Sequence, residues 1–212
     1  MHGEEHRSNG PRLAMTGAHV AGVAVAAFFL ARDGLTARDT LLLACGLVYL
    51  GRLLLTSFYT LRRAVGWAEA AQVGPFLLLV QAALGFLGSR ALAPLRAIDW
   101  AAVVLYVVGS YLNTASEWQR KRWKTRPENK GRLYTEGLFA LSMHVNYFGD
   151  TVLFTGFALL TTSPWALLVP AVMTVGFVFL HIPMLDRYLA TRYGEAFEAW
   201  ARRTKKFVPF VY

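Results

Sequence analysis

One cysteine in 212 residues, Cys45, lies inside an apolar run. That scarcity excludes an intrachain disulfide and any cysteine-cluster metal site. The five histidines are scattered through the chain, so no metal site is expected. Neither Gly-x-Gly-x-x-Gly nor a phosphate-binding P-loop occurs, which removes the usual soluble nucleotide folds. No internal repeat is present. Charge is scarce as well. Charged residues make up 17% of the chain, below the roughly 25% of soluble domains. In their place the chain is 55% hydrophobic, with mean hydropathy +0.37.

Apolar runs recur at the roughly 17–25 residues needed to cross about 30 Å of hydrocarbon. They predict an all-α, polytopic transmembrane bundle with spans over 15–32, 39–61, 70–89, 97–116, 139–162 and 164–182. A seventh element follows if one of the longer spans is split. Arg52 interrupts the second span and is expected to face the protein interior. The fifth is broken by His144, Asn146 and Asp150, so an irregular start is expected there. Residues 1–14 read as a disordered polar arm and 15–212 as one membrane domain, with substrate-side helices over 15–112 and a cofactor-binding half over 113–212.

The net charge of +9 is topological rather than a nucleic-acid signal. Six spans place the N-terminus, the 62–69 loop, the 117–136 loop and the C-terminal tail on one side. Those segments hold 17 of the 22 Lys and Arg. The opposite loops hold Arg32, Arg38, Arg90 and Arg96. The excess marks the basic side, with both termini, as cytoplasmic. The Ala- and Arg-rich composition points to a bacterial inner membrane. The first apolar run has no convincing cleavage site and reads as an uncleaved span. Nothing in the sequence fixes an oligomeric state.

Polar side chains concentrate over 113–150. Asn113, Glu117, Arg120, Lys121 and Lys124 recur at spacings of three and four, so they share a helix face where the fourth span leaves the membrane. The basic members alone also suit a collar on lipid phosphates. Asn113 lies one turn inside the apolar run, where an amide must find partners. Asn146 and Asp150 lie i, i+4 after His144. A carboxylate at membrane depth must be paired, protonated or wet, although Asp150 also fits a helix cap near residue 149. Together these residues predict a polar pocket for a ligand with several negative charges, with the basic loop suited to phosphates.

A second polar group comprises Tyr59, Arg62, Arg63, Trp67 and Glu69. It reads either as a surface Glu–Arg pair or as an acid held protonated in an apolar pocket. His19 reads as a tolerated helix residue. Residues 183–203 predict one tail helix beginning at Pro183, with an apolar stripe of Leu185, Leu189, Tyr193, Ala196, Phe197 and Trp200. Such a helix lies on the membrane or caps the bundle, and Lys205 and Lys206 favour anionic lipid headgroups.

Several motifs carry a family resemblance: Gly137-Leu138-Phe139, Asn146-Tyr147-Phe148-Gly149-Asp150, Pro183-Met184-Leu185-Asp186, Tyr193-Gly194, and Arg203-Thr204-Lys205-Lys206-Phe207-Val208-Pro209. From about residue 113 onward the chain resembles the membrane steroid 5α-reductase and sterol-reductase superfamily, in its uncharacterised bacterial-type branch. The first half matches only loosely, through Arg62-Arg63 and Trp67-Ala68-Glu69. The resemblance implies NADPH held by the C-terminal half and reduction of a carbon–carbon double bond, often conjugated to a ketone, in a lipophilic steroid-like or isoprenoid-like substrate. It implies cofactor-binding roles for Asn113, Glu117, Arg120, Lys121, Lys124, His144, Asn146, Tyr147, Gly149, Asp150, Asp186 and Tyr193. Glu69 and Tyr59 are the candidate catalytic pair, hydrogen-bonding a substrate carbonyl.

Two features depart from that family. Met143-His144-Val145 stands where Arg-His-Pro is common, and Asp150 replaces the more frequent Glu. The chain is also similar to isoprenylcysteine and phospholipid methyltransferases, which would make S-adenosylmethionine the cofactor. Those enzymes carry a paired acid after the last span, where this chain has only Asp186. A non-catalytic lipid-binding protein is a third reading.

Overall fold

The computed structural model describes residues 9–61 and 63–212. Among these residues there is no strand. The helices are α1 (Asn9–Ala31), α2 (Ala37–Leu54), α3 (Trp67–Gly88), α4 (Ala97–Lys124), α5 (Val145–Leu160), α6 (Leu168–Gly176), α7 (Ile182–Tyr193) and α8 (Glu195–Arg203). Five helical stretches are long and apolar enough to cross a bilayer: Asn9–Ala31, Ala37–Thr60, Trp67–Gly88, Ala97–Lys124 and Pro164–Tyr193. The all-helical membrane class expected from the sequence is therefore observed.

The fifth expected span, 139–162, has the irregular start expected of it, which shortens its helix. Its helix, α5, has only 16 residues, about 24 Å at 1.5 Å per residue. The residues before it are diverted into a tight turn at Gly137–Ala140 and a non-helical segment. That segment is tied to the tail: Met143 N–H donates to the Lys205 carbonyl at 2.8 Å and His144 N–H to the Lys206 carbonyl at 3.1 Å. The Ser142 hydroxyl donates to the Phe207 carbonyl at 2.7 Å. These bonds satisfy backbone groups that a helix would otherwise have paired internally.

Two further boundaries move. Helix α1 begins at Asn9, so residues 9–14 are not a disordered arm; residues 1–8 of that expectation lie outside the described residues. The reason is Arg12, which is buried and donates to the carbonyls of Leu61 (3.3 Å) and Arg63 (2.7 Å). The expected start of a tail helix at Pro183 is instead a widening of a continuing helix. Proline cannot donate to the preceding turn and its ring crowds it. The chain takes π-helical turns over Phe177–His181 and continues into α7. The break falls at Gly194, whose φ of +48° is in the region that favours glycine.

The chain divides into two compact units. One comprises the described residues up to Val103 together with Phe157–Leu167; the other comprises Val104–Gly156 and Leu168–Tyr212.

In the first unit α1 packs along α3. A side chain at Gly85 would strike Ala26, and one at Gly22 would come within 2.8 Å of Leu78 Cα. Small residues let the two backbones approach closely, as membrane helices require. His19, fully buried, shares a 3.1 Å hydrogen bond with Gln81 across this contact. Thr36 and Asp39 form a reciprocal capping box at the start of α2. Arg38, counted above as a loop cation, is 2% exposed and forms a bidentate pair with Asp99, itself 1% exposed, at 2.5 and 2.8 Å. It also donates to the Leu160 carbonyl at 2.9 Å. Arg52 lies 5.5 Å from the Tyr49 ring centre.

Candidate functional site

The second unit is organised by the approach of α4 and α5. A side chain on Gly109 would collide with the Leu153 backbone, and one on Gly149 would sit 2.7 Å from the Asn113 nitrogen. Gly149 therefore serves the contact of α5 with α4. The close approach lets Asn113 Nδ2 donate to Asp150 Oδ2 at 2.9 Å and to the Asn146 carbonyl at 3.1 Å. Helix α5 starts at Val145, so Asp150 is an interior helix residue rather than a cap. One turn along, Asn146 Nδ2 donates to Glu117 Oε1 at 3.0 Å. The other Glu117 oxygen accepts from Arg120. The spacing-based expectation that Asn113, Glu117, Asn146 and Asp150 come together is met by a continuous polar ladder.

The ladder ends at a cavity of about 210 Å³. Arg120, Lys124, His144, Asn146 and Tyr193 line it, five of the twelve residues expected at a cofactor. Asn113, Glu117 and Asp150 stand behind them. Lys121 does not line the cavity. Tyr147 stacks parallel between His144 and Phe177, at 5.8 and 4.7 Å between ring centres. Asp186 holds His144 from behind, accepting at 2.8 Å on Oδ1, while Lys206 pairs with Oδ2 at 3.2 Å.

Lys124 is positioned by two acceptors, the Tyr193 hydroxyl at 3.0 Å and the Arg132 carbonyl. Arg120 lies 5.5 Å from the Phe139 ring centre. Asn146 Oδ1 and His144 Nδ1 make no hydrogen bond among the described residues, which leaves an acceptor and a ring nitrogen for a ligand.

The aromatic part of the wall was missed in the sequence. Tyr134, Phe139, Tyr188 and Trp200 line the same cavity. Phe139 and Trp200 belong to one buried cluster, and Trp200 Nε1 donates to the Phe139 carbonyl at 3.2 Å. Burial and the neighbouring Glu136 raise the Tyr134 pKa, so its hydroxyl stays a neutral donor. Gly137 makes the turn between them: its φ is +59°, and a side chain there would strike Gln119 and the Tyr134 hydroxyl. The available signal was the tail stripe, since Leu185, Leu189, Tyr193 and Trp200 all face this cavity.

Glu69 and Tyr59 belong to the first unit. Both Glu69 oxygens accept from Arg63 at 2.6 Å, and Tyr59 is exposed. Arg62 lies outside the described residues.

A helical membrane chain with a polar ladder ending at an aromatic-walled cavity defines the class. The family described as "Protein of unknown function (DUF1295)" matches residues 72–204, and the chain belongs to it. Among curated proteins, a probable O-methyltransferase, ustE, of Ustilaginoidea virens is 32% identical over 90 residues, 42% of this chain and 32% of that protein. Protein-S-isoprenylcysteine O-methyltransferase B of Arabidopsis thaliana is 30% identical over 88 residues, 42% of this chain and 45% of that protein. The chain thus spans less than half the length of the curated relatives it matches.

Proposed function

We propose that this protein is a membrane enzyme whose second-unit cavity takes NADPH, and that it reduces a carbon–carbon double bond in a lipophilic enone. The observation that carries this reading is the ladder from Asp150 through Asn113, Asn146 and Glu117 to Arg120. It delivers a fixed carboxamide and a guanidinium to the same cavity wall. The residues suit such a group. Arg120 and Lys124 offer charge for phosphates, Asn146 Oδ1 accepts from a carboxamide or ribose hydroxyl, and Tyr134, Tyr188 and Trp200 offer faces for a ring.

When bound, NADPH would supply a hydride to one alkene carbon, and solvent or a side chain would supply the proton to the other. The chain's own work is placement. Asn113 and Asp150 lock α5 against α4 and so hold Asn146 in register. Asp186 fixes the His144 ring through Nε2 at the cavity wall. A ring seated against the aromatic wall would displace water, which strengthens the polar contacts inside. Glu69 and Tyr59 remain the proposed substrate-side groups. To donate to a carbonyl, Glu69 must take up a proton and leave its pair with Arg63. We place the basic segments and both termini in the cytoplasm of a bacterial inner membrane.

A second reading is methyl transfer from S-adenosylmethionine. The two O-methyltransferase relatives favour it, and so does size. A cavity of about 210 Å³ is below the roughly 300–1,000 Å³ of typical small-molecule sites. It matches one nucleoside more closely than a whole dinucleotide, and aromatic faces attract a sulfonium cation. Ligand-induced thermal stabilisation of the purified protein tests both readings, because a ligand selective for the folded state raises its stability. Stabilisation by NADPH but not S-adenosylmethionine is expected. The reverse result replaces the reductase with the methyltransferase. No shift with either favours a non-catalytic lipid-binding protein.

A further inference from the structure

A second cavity, of about 270 Å³, lies within the second unit and is given no ligand by the proposed function. Met143, Ala190 and Phe197 form its apolar floor, and Asp186, Arg187 and Lys206 are the charged residues lining it. The acid is already committed: Asp186 accepts from His144 on one oxygen and pairs with Lys206 on the other. Arg187 is exposed, makes no ion pair among the described residues, and donates only to the Pro183 carbonyl, at 3.4 Å. The neighbouring Lys205 is exposed too. The cavity therefore combines surplus positive charge with an apolar floor.

The adjoining tail carries an independent signal. After Lys206 the chain doubles back, and Phe207 N–H donates to the Tyr212 main-chain oxygen at 2.6 Å. Phe210, Val211 and Tyr212 stay exposed on that turn. Aromatic residues beside lysines, just beyond the amphipathic helix α8, are the composition of a membrane–water boundary. We propose that this cavity seats the phosphate headgroup of an anionic phospholipid. Arg187 and Lys206 would hold the phosphate, and Phe197 and Ala190 would pack against the carbons next to it.

The test uses the full-length protein in neutral detergent. Short-chain phosphatidylglycerol, phosphatidylcholine of the same chain length, and inorganic phosphate are titrated separately, with the thermal midpoint as the readout. The expected result is stabilisation by phosphatidylglycerol alone. Arg187→Gln should raise its half-saturating concentration about fivefold, the worth of one cation at a lipid surface. Arg202→Gln, a control on exposed α8 surface, should leave it unchanged. Equal stabilisation by phosphatidylcholine overturns the proposal. So does a full effect from inorganic phosphate, or an Arg187→Gln response no different from that of Arg202→Gln. None of these readouts depends on which cofactor the first cavity takes.

Discussion

The two units treat buried polar side chains in opposite ways. In the first, the large buried polar side chains bond within the unit, Arg38 with Asp99, His19 with Gln81 and Arg12 with two carbonyls, while Thr16 Oγ1 makes no hydrogen bond among the described residues. In the second, bonded polar groups form a chain that ends at open space, where Asn146, Arg120, Lys124 and His144 meet a cavity. A polar residue at membrane depth is therefore not in itself a site. What distinguishes the second unit is that its polar side chains line a cavity large enough for a ligand.

The sharpest way to break that comparison is to remove one partner of the buried pair. Asp99→Ala leaves the Arg38 guanidinium buried without its carboxylate, and should cost about 3–5 kcal/mol. Denaturant or thermal unfolding of the purified protein reads this, and ligand affinity of the fraction still folded should not change. Next in size is Gly149→Val, which forces α4 and α5 apart. Overpacking of this kind costs about 1–3 kcal/mol, and here ligand affinity should fall along with stability, because the ladder is built on that contact.

Asn146→Ala should separate the two properties. Losing its hydrogen bond to half-buried Glu117 costs about 1 kcal/mol of stability. Cofactor binding, measured by calorimetry, should weaken about tenfold, the worth of one good hydrogen bond. The smallest effect is expected at His19 and Gln81. A double-mutant cycle with His19→Leu and Gln81→Leu should give a coupling near 0.6 kcal/mol, typical of interhelical hydrogen bonds in membranes, with no effect on ligand.

The membrane class was legible because apolar runs of spanning length stand out from composition alone. The ladder was legible because Asn113 and Glu117, and likewise Asn146 and Asp150, lie one helical turn apart and so mark two faces. Other features were not, and each has a physical reason. The pairing of Met143 and His144 with Lys205 and Lys206 is a backbone contact across more than 60 residues, and side-chain periodicity says nothing about it. The role of Gly149 depends on what faces it, and only α4 reveals that. The aromatic wall is assembled from three separate segments, so no local spacing announces it. Arg38 was assigned to a loop by charge, since its acid, Asp99, is 61 residues away.

The most direct test of the central claim is the ligand-induced thermal shift of wild type beside Asn146→Ala and Asp99→Ala, with NADPH and S-adenosylmethionine supplied separately. The account predicts that NADPH raises the wild-type midpoint. It also predicts that Asp99→Ala starts lower but keeps the full shift, and that Asn146→Ala starts near wild type but loses most of it. A full shift in Asn146→Ala would contradict the assignment of the cavity and its polar ladder as the cofactor site.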